Sequence, residues 1–144
     1  KVITNYLASV HLVALGEAWT VAKKSKLDLE KTFKGIAASS GNSFVHETES
    51  QVILNGSYNI NFTMDLVLKD TGLFDDLAKK LHAPMEISPK IIEIFKDGQK
   101  KYGSRAWSSM IVKRMEDLNN INFREKGFPE ELVDTEPEEK GYEI

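Results

Sequence analysis

At 144 residues, with 41% hydrophobic and 28% charged residues, the chain has the length and balance of one globular domain with a buried core. It has no cysteine, which excludes a disulfide frame, a thiolate metal site and a cysteine nucleophile and suits a reducing, cytoplasmic setting. The net charge of −3 conceals a split: residues 129–144 carry seven acids against Lys140, a balance of −6, so residues 1–128 sum to +3, too little and too dispersed for nucleic acid.

The apolar pattern is helical throughout, so the expected class is all-α. A first helix from Lys1 to about Lys24 is about 36 Å long at 1.5 Å per residue. Its stretch Val2–Ala22 has the length of a membrane span, but Asn5, His11 and Glu17 recur through its middle at a cost lipid does not return, so a buried core helix is expected. Ser25 and Asp28 break the chain and cap a second helix, about 29–38. Ser39-Ser40-Gly41-Asn42 is a turn before a third, about 43–54, and Asn55-Gly56-Ser57-Tyr58-Asn59 is the clearest loop.

A fourth helix, about 62–82, carries Leu66, Leu73, Leu77 and Leu81 along one stripe and ends before Pro84. Pro89 opens a fifth, about 88–102, where proline is tolerated in the first turn. Ser104 caps a sixth, about 106–118, with Trp107, Met110, Ile111 and Met115 as its buried side. Residues 119–144, polar, acidic and proline-punctuated, read as an extended tail behind a helical domain of residues 1–118.

Glycine-rich phosphate loops after a strand, His-Glu-x-x-His and Gly-x-Ser-x-Gly are all absent. His11, His46 and His82 show no ligand spacing, so no metal site is expected and each histidine reads as structural or exposed. Two constellations remain. Lys1 and Asn5 share one helical face beside apolar residues. A desolvated lysine can act as a proton donor, and an amide one turn away can orient a hydroxyl. A solvated terminus with an asparagine satisfying backbone explains the pair as well, and periodicity alone favours it.

The second constellation is Lys69-Asp70-Thr71-Gly72-Leu73-Phe74-Asp75-Asp76. A glycine inside a helix costs about 1 kcal/mol against alanine, which suggests close approach by another helix or a ligand at Gly72. Phe62, Leu66 and Lys69 lie at i, i+4 and i+7 with Asp70 at the edge, so Lys69 falls where the stripe asks for an apolar residue. Taken alone, the spacing favours a charged pair on a solvated face.

Together the two spots resemble a known family. Lys1-x-x-x-Asn5 resembles the end of the catalytic signature of the β-hydroxyacid dehydrogenases, and Lys69-Asp70-Thr71-Gly72-x-x-x-Asp76 resembles their Lys-Asp-Leu-Gly-x-Ala-x-Asp signature. Thr71 stands in place of the usual leucine and Phe74 in place of the usual alanine. The resemblance covers residues 1–118 and is to the C-terminal helical domain of 3-hydroxyisobutyrate dehydrogenase-like enzymes, of the 6-phosphogluconate dehydrogenase-like type.

It implies that Lys1 is the general acid/base, with Asn5 binding substrate and fixing the lysine. It places Lys69 beside NAD or NADP, and Phe62 and Asp70 at the substrate pocket. The implied substrate is a small 3-hydroxy acid. The implied partners are an N-terminal Rossmann domain absent from this chain and a second copy in a homodimer or higher oligomer, with no membrane and no nucleic acid. A chain lacking the Rossmann half is expected to be inactive alone. The other expectation is a non-catalytic helical interaction module using Phe62, Trp107 and Met110 as its face.

Overall fold

The central scaffold is one long helix, α1 (Val2–Lys24), whose buried residues Leu12, Leu15, Trp19 and Ala22 recur at helical spacing. The structure is a computed structural model that describes residues 1–133, so the acids from Asp134 onward lie outside the described residues. Around α1 lie α2 (Leu29–Ala37), α3 (Phe44–Asn55), α4 (Met64–Lys80) and α5 (Ser88–Tyr102), then a 3₁₀ turn (Ser108–Ile111) and α6 (Lys113–Asn119). The described residues form no sheet, and the fold is all-helical as expected.

The helices start and stop where side chains satisfy free backbone groups. The Asp28 carboxylate accepts the Lys31 N–H at 2.9 Å, and the Ser43 hydroxyl accepts the His46 N–H at 3.0 Å. Gly56 ends α3 at φ 97°, a left-handed cap that glycine adopts without strain. Trp19 is fully buried and donates from Nε1 to Ser50 Oγ at 3.2 Å. Ser50 Oγ lies 3.1 Å from His46 Nδ1, and His46 Nε2 lies 2.9 Å from the Phe33 carbonyl. The chain closes only if Nε2 carries the proton. Burial also lowers the His46 pKa, so His46 is a neutral structural residue.

Three expectations need correction. Helix α4 begins at Met64 rather than Phe62, because residues 62–64 pair with 106–108 instead. The Ser108 N–H donates to the Phe62 carbonyl at 2.8 Å and the Met64 N–H to the Ala106 carbonyl at 2.9 Å. The same pairing divides the expected sixth helix: Trp107 is extended, and only Ile111 of its four expected side chains is fully buried. Residues 120–128 are not helical, yet they are not a free tail either. Phe123 is completely buried, and Phe128 meets Phe33 edge-on with centroids 5.2 Å apart.

Of the two close approaches expected at Gly72, that of another helix is not observed. A Cβ built there meets nothing within 4 Å, so no described element approaches it. Gly98 is the crowded glycine: its Cβ would stand 2.5 Å from Ile111 Cδ1 and 3.3 Å from Met64 Sδ. Opposite results therefore follow from one kind of substitution. Gly72→Ala should stabilise the fold by up to about 1 kcal/mol through helix propensity, and at Gly98→Ala the displacement of the Ile111 methyl in the core should outweigh that gain, for a net loss of up to about 2 kcal/mol. Urea unfolding of the two variants checks the signs.

Candidate functional site

A cleft of about 190 Å³ opens between α1, α3, α4 and α5 and the 106–108 segment. Leu12, Val67 and Phe95 form much of its apolar wall, with Phe62 at the side. The 62–108 pairing fixes the backbone that carries Phe62 and, next to it, the buried Ser108.

Three of the five expected site residues meet in this cleft. Asn5, Phe62 and Asp70 all line it. Asn5 Nδ2 donates to Asp70 Oδ2 at 2.6 Å, across 65 residues of sequence. The amide nitrogen must face the carboxylate, since the amide oxygen there would be repelled. Asn5 Oδ1 is thereby turned to accept from another donor. Lys1 and Lys69 do not line the cleft, and both are exposed. Lys1 is the N-cap residue of α1, one turn before Asn5, and its side chain does not cap the helix. Lys69 is exposed beside Asp70, on the solvated face that its spacing alone favours.

The two departures from the resembled signature both serve packing. Thr71 is buried, its hydroxyl donating to the Val67 carbonyl at 2.8 Å. Phe74 stacks on Tyr6 with ring centroids 4.0 Å apart and an interplanar angle of 6°. The stack joins α4 to α1 one turn along from the Asn5–Asp70 bond. Phe62, Trp107 and Met110, the expected face of an interaction module, are half-buried and pack against the core.

Sequence reasoning missed Ser9, Glu49 and Ser108 in the lining. Ser9 follows Asn5 by one turn, and its hydroxyl donates back to the Asn5 carbonyl at 2.9 Å. Glu49 had a legible signal. Val45, Val52 and Ile53 are core residues at i, i+7 and i+8, and Glu49 holds the i+4 position of that stripe. Oε2 of its carboxyl is sealed from solvent and has no hydrogen-bond partner among the described residues. Burial pushes its pKa up to about 8, so the carboxyl is largely protonated at neutral pH.

Among the described residues no group of three or more His, Asp or Glu side chains could hold a metal ion, and no helix is long and apolar enough to cross a membrane. The cleft lining itself holds no lysine or arginine, and Lys69 is exposed at the position next to Asp70. The geometry offers an oriented amide, a carboxylate and a neutral carboxylic acid over an apolar wall. These are groups that bind a small hydroxylated molecule.

Residues 1–115 match the family described as NAD-binding of NADP-dependent 3-hydroxyisobutyrate dehydrogenase. An L-threonate dehydrogenase from Haemophilus influenzae is 30% identical over 112 residues, which are 77% of this chain and 37% of that protein. A 3-sulfolactaldehyde reductase from Escherichia coli is 31% identical over 118 residues, 77% of this chain and 38% of the reductase. Among solved structures, a 3-hydroxyisobutyrate dehydrogenase from Salmonella typhimurium superposes with a TM-score of 0.73 at 27% identity, covering 79% of this chain and 40% of that one. The chain thus spans about two fifths of the length of the proteins it matches.

Proposed function

The chain belongs to the NAD-binding 3-hydroxyisobutyrate dehydrogenase family, and from that membership we propose that it is the helical, substrate-binding part of an NAD(P)-dependent oxidoreductase acting on a small 3-hydroxy acid. The domain is of the 6-phosphogluconate dehydrogenase C-terminal type. The observation that carries the reading is the Asn5–Asp70 bond, which brings the two resembled signatures together at one cleft. The relatives' names support the substrate class, since an L-threonate dehydrogenase and a 3-hydroxyisobutyrate dehydrogenase act on small hydroxy acids.

In this mechanism Asp70 holds the Asn5 amide, whose second Nδ2 hydrogen donates to the substrate oxygen while Oδ1 accepts from the lysine. Lys1, one turn earlier on α1, removes the hydroxyl proton during oxidation and returns it during reduction. Phe62 and the apolar wall exclude water from the reacting carbon. Lys69, exposed beside Asp70, would hold the cofactor near the cleft. NAD or NADP, when bound, supplies the hydride acceptor.

These 144 residues contain no glycine-rich loop for a dinucleotide pyrophosphate, so on this reading the chain has no turnover alone and works with an N-terminal Rossmann domain. The exposed Leu73 and Leu77 of α4, Leu81 at its C-cap, and Ile3 and Leu7 of α1 are the surfaces proposed to meet that domain or a second copy in a homodimer. The setting proposed for the enzyme is the cytoplasm, which the lack of cysteine suits.

Two measurements test the proposal. Upstream of Lys1 the gene should encode a Gly-x-Gly-x-x-Gly unit, and the longer protein should reduce NAD or NADP with a small 3-hydroxy acid. A start codon directly before Lys1, or a longer protein inert towards a panel of such acids with both cofactors, would overturn it.

A further inference from the structure

One group in the cleft has no task in this chemistry. Glu49 enters from α3 on a stripe whose other members are core residues, and its Oε2 meets neither solvent nor a hydrogen-bond partner among the described residues. Buried side-chain oxygens are nearly always paired, because an unpaired one gives up its hydration for nothing. An apolar residue would pack more stably at this position. The carboxyl is therefore unexplained by folding, and its partner is to be sought in the cleft.

The surroundings narrow what that partner is. The cleft, about 190 Å³, has room for a short-chain molecule. Its polar lining is Asn5, Ser9, Glu49, Asp70 and Ser108, with no lysine or arginine. A second carboxylate without a cation argues against a substrate carboxylate in this corner. A protonated Glu49 offers one O–H donor and one carbonyl acceptor. An alcohol is also a donor and an acceptor, so the two are complementary. A methyl group in the same place would leave the carboxyl that lines the cleft without a partner.

We propose that Glu49 is a specificity-determining residue whose carboxyl pairs with a second hydroxyl of a polyhydroxy acid, on a carbon other than the one that reacts. Ser9 and Ser108 in the same lining suit a hydroxylated chain. The inference rests on the dehydrogenase reading and names the substrate subclass within it: acids with additional hydroxyls are preferred over their deoxy counterparts.

The first test is the ratio of kcat/KM for L-threonate to that for 3-hydroxybutyrate, which lacks the additional hydroxyls, in the intact enzyme. Glu49→Leu should lower this ratio at least tenfold, and Glu49→Gln, which keeps a donor and an acceptor, should hold it within about threefold. A ratio within twofold of wild type in Glu49→Leu overturns the proposal, as does an equal fall in Glu49→Gln.

The second test needs no turnover and so separates this proposal from the dehydrogenase reading. At tens of millimolar, L-threonate should raise the melting temperature of the wild-type chain more than that of Glu49→Leu, and 3-hydroxybutyrate should not discriminate between them. Equal shifts in both proteins overturn the assignment. A larger wild-type shift with L-serine also overturns it, because that result assigns Glu49 to an ammonium group. The state of the carboxyl is read from unfolding against pH. Folded Glu49 keeps its proton up to about 8 while the unfolded chain ionises near 4.5. Wild type should therefore lose stability relative to Glu49→Gln as pH rises through that window. The comparison cancels His46, whose lowered pKa acts in the opposite sense below its ordinary 6.5.

Discussion

Lys1→Ala in the intact enzyme should lower kcat for hydroxy-acid oxidation by about 10²–10⁴-fold, the usual contribution of a positioned general acid or base. The proposed role requires proton exchange and not merely charge, so Lys1→Arg should fare little better: guanidinium keeps its proton throughout the working pH range. Lys1 is exposed, and its side chain does not cap α1, so neither change should move the unfolding free energy by more than about 0.5 kcal/mol. Loss of rate with an unchanged melting temperature is then a chemical effect. Asn5→Ala provides the companion measurement, because it removes the amide that Asp70 orients. If Lys1→Ala keeps kcat within threefold of wild type, proton transfer belongs to another group.

What could be read from the chain follows the range of the interactions involved. Helix α5 matches its expected bounds because Pro89 and its periodicity are local, and α2 starts where Asp28 caps it. The start of α4 was not legible. It depends on residues 62–64 pairing with 106–108, a contact that no window of local periodicity contains. Phe123 escaped for the same reason, since its segment is polar and its partners lie elsewhere in the chain.

At the site, Asn5 and Asp70 could be named from the resemblance to the family's two signatures, but not their direct bond. Glu49 stood on an apolar stripe in plain view, and an acid there reads as an interruption until the neighbouring helices enclose it. The stripe of leucines on α4 misleads in the other direction: Leu73, Leu77 and Leu81 are exposed in this chain. Periodicity reports that a face is apolar, not what covers it.

Glu116→Ala should destabilise the fold by about 2–4 kcal/mol, a large part of the total for a domain of this size. Glu116 is 3% exposed and is the acceptor at the centre of a clasp between three separated segments. It accepts the Tyr58 hydroxyl, the Phe123 N–H at 2.8 Å and Arg124 Nη1 at 3.0 Å. Arg124 also donates to the Ile53 carbonyl at 3.0 Å and to Tyr58 Oη at 2.7 Å, and its guanidinium lies across Gly56, where a Cβ would come within 2.2 Å of Nε. Removing the carboxylate strands a phenol and a buried backbone donor, and leaves Arg124 with the Ile53 carbonyl, Tyr58 Oη and water.

Glu116→Gln keeps the volume but turns an amide NH₂ towards donors, so it should still destabilise by about 2–3 kcal/mol. Gly56→Ala should act on the same clasp from the other side. It imposes a left-handed conformation on alanine and displaces the Arg124 side chain. Since all three residues serve one network, Glu116→Ala and Gly56→Ala should be less than additive in a double-mutant cycle. The clasp also reaches the cleft, because the Tyr58 carbonyl accepts the Ser109 hydroxyl at 2.5 Å, next to the lining residue Ser108. Urea unfolding at pH 7 measures the loss. A value below 1 kcal/mol for Glu116→Ala would mean that water replaces the carboxylate and that the segment 120–128 docks through Phe123 alone.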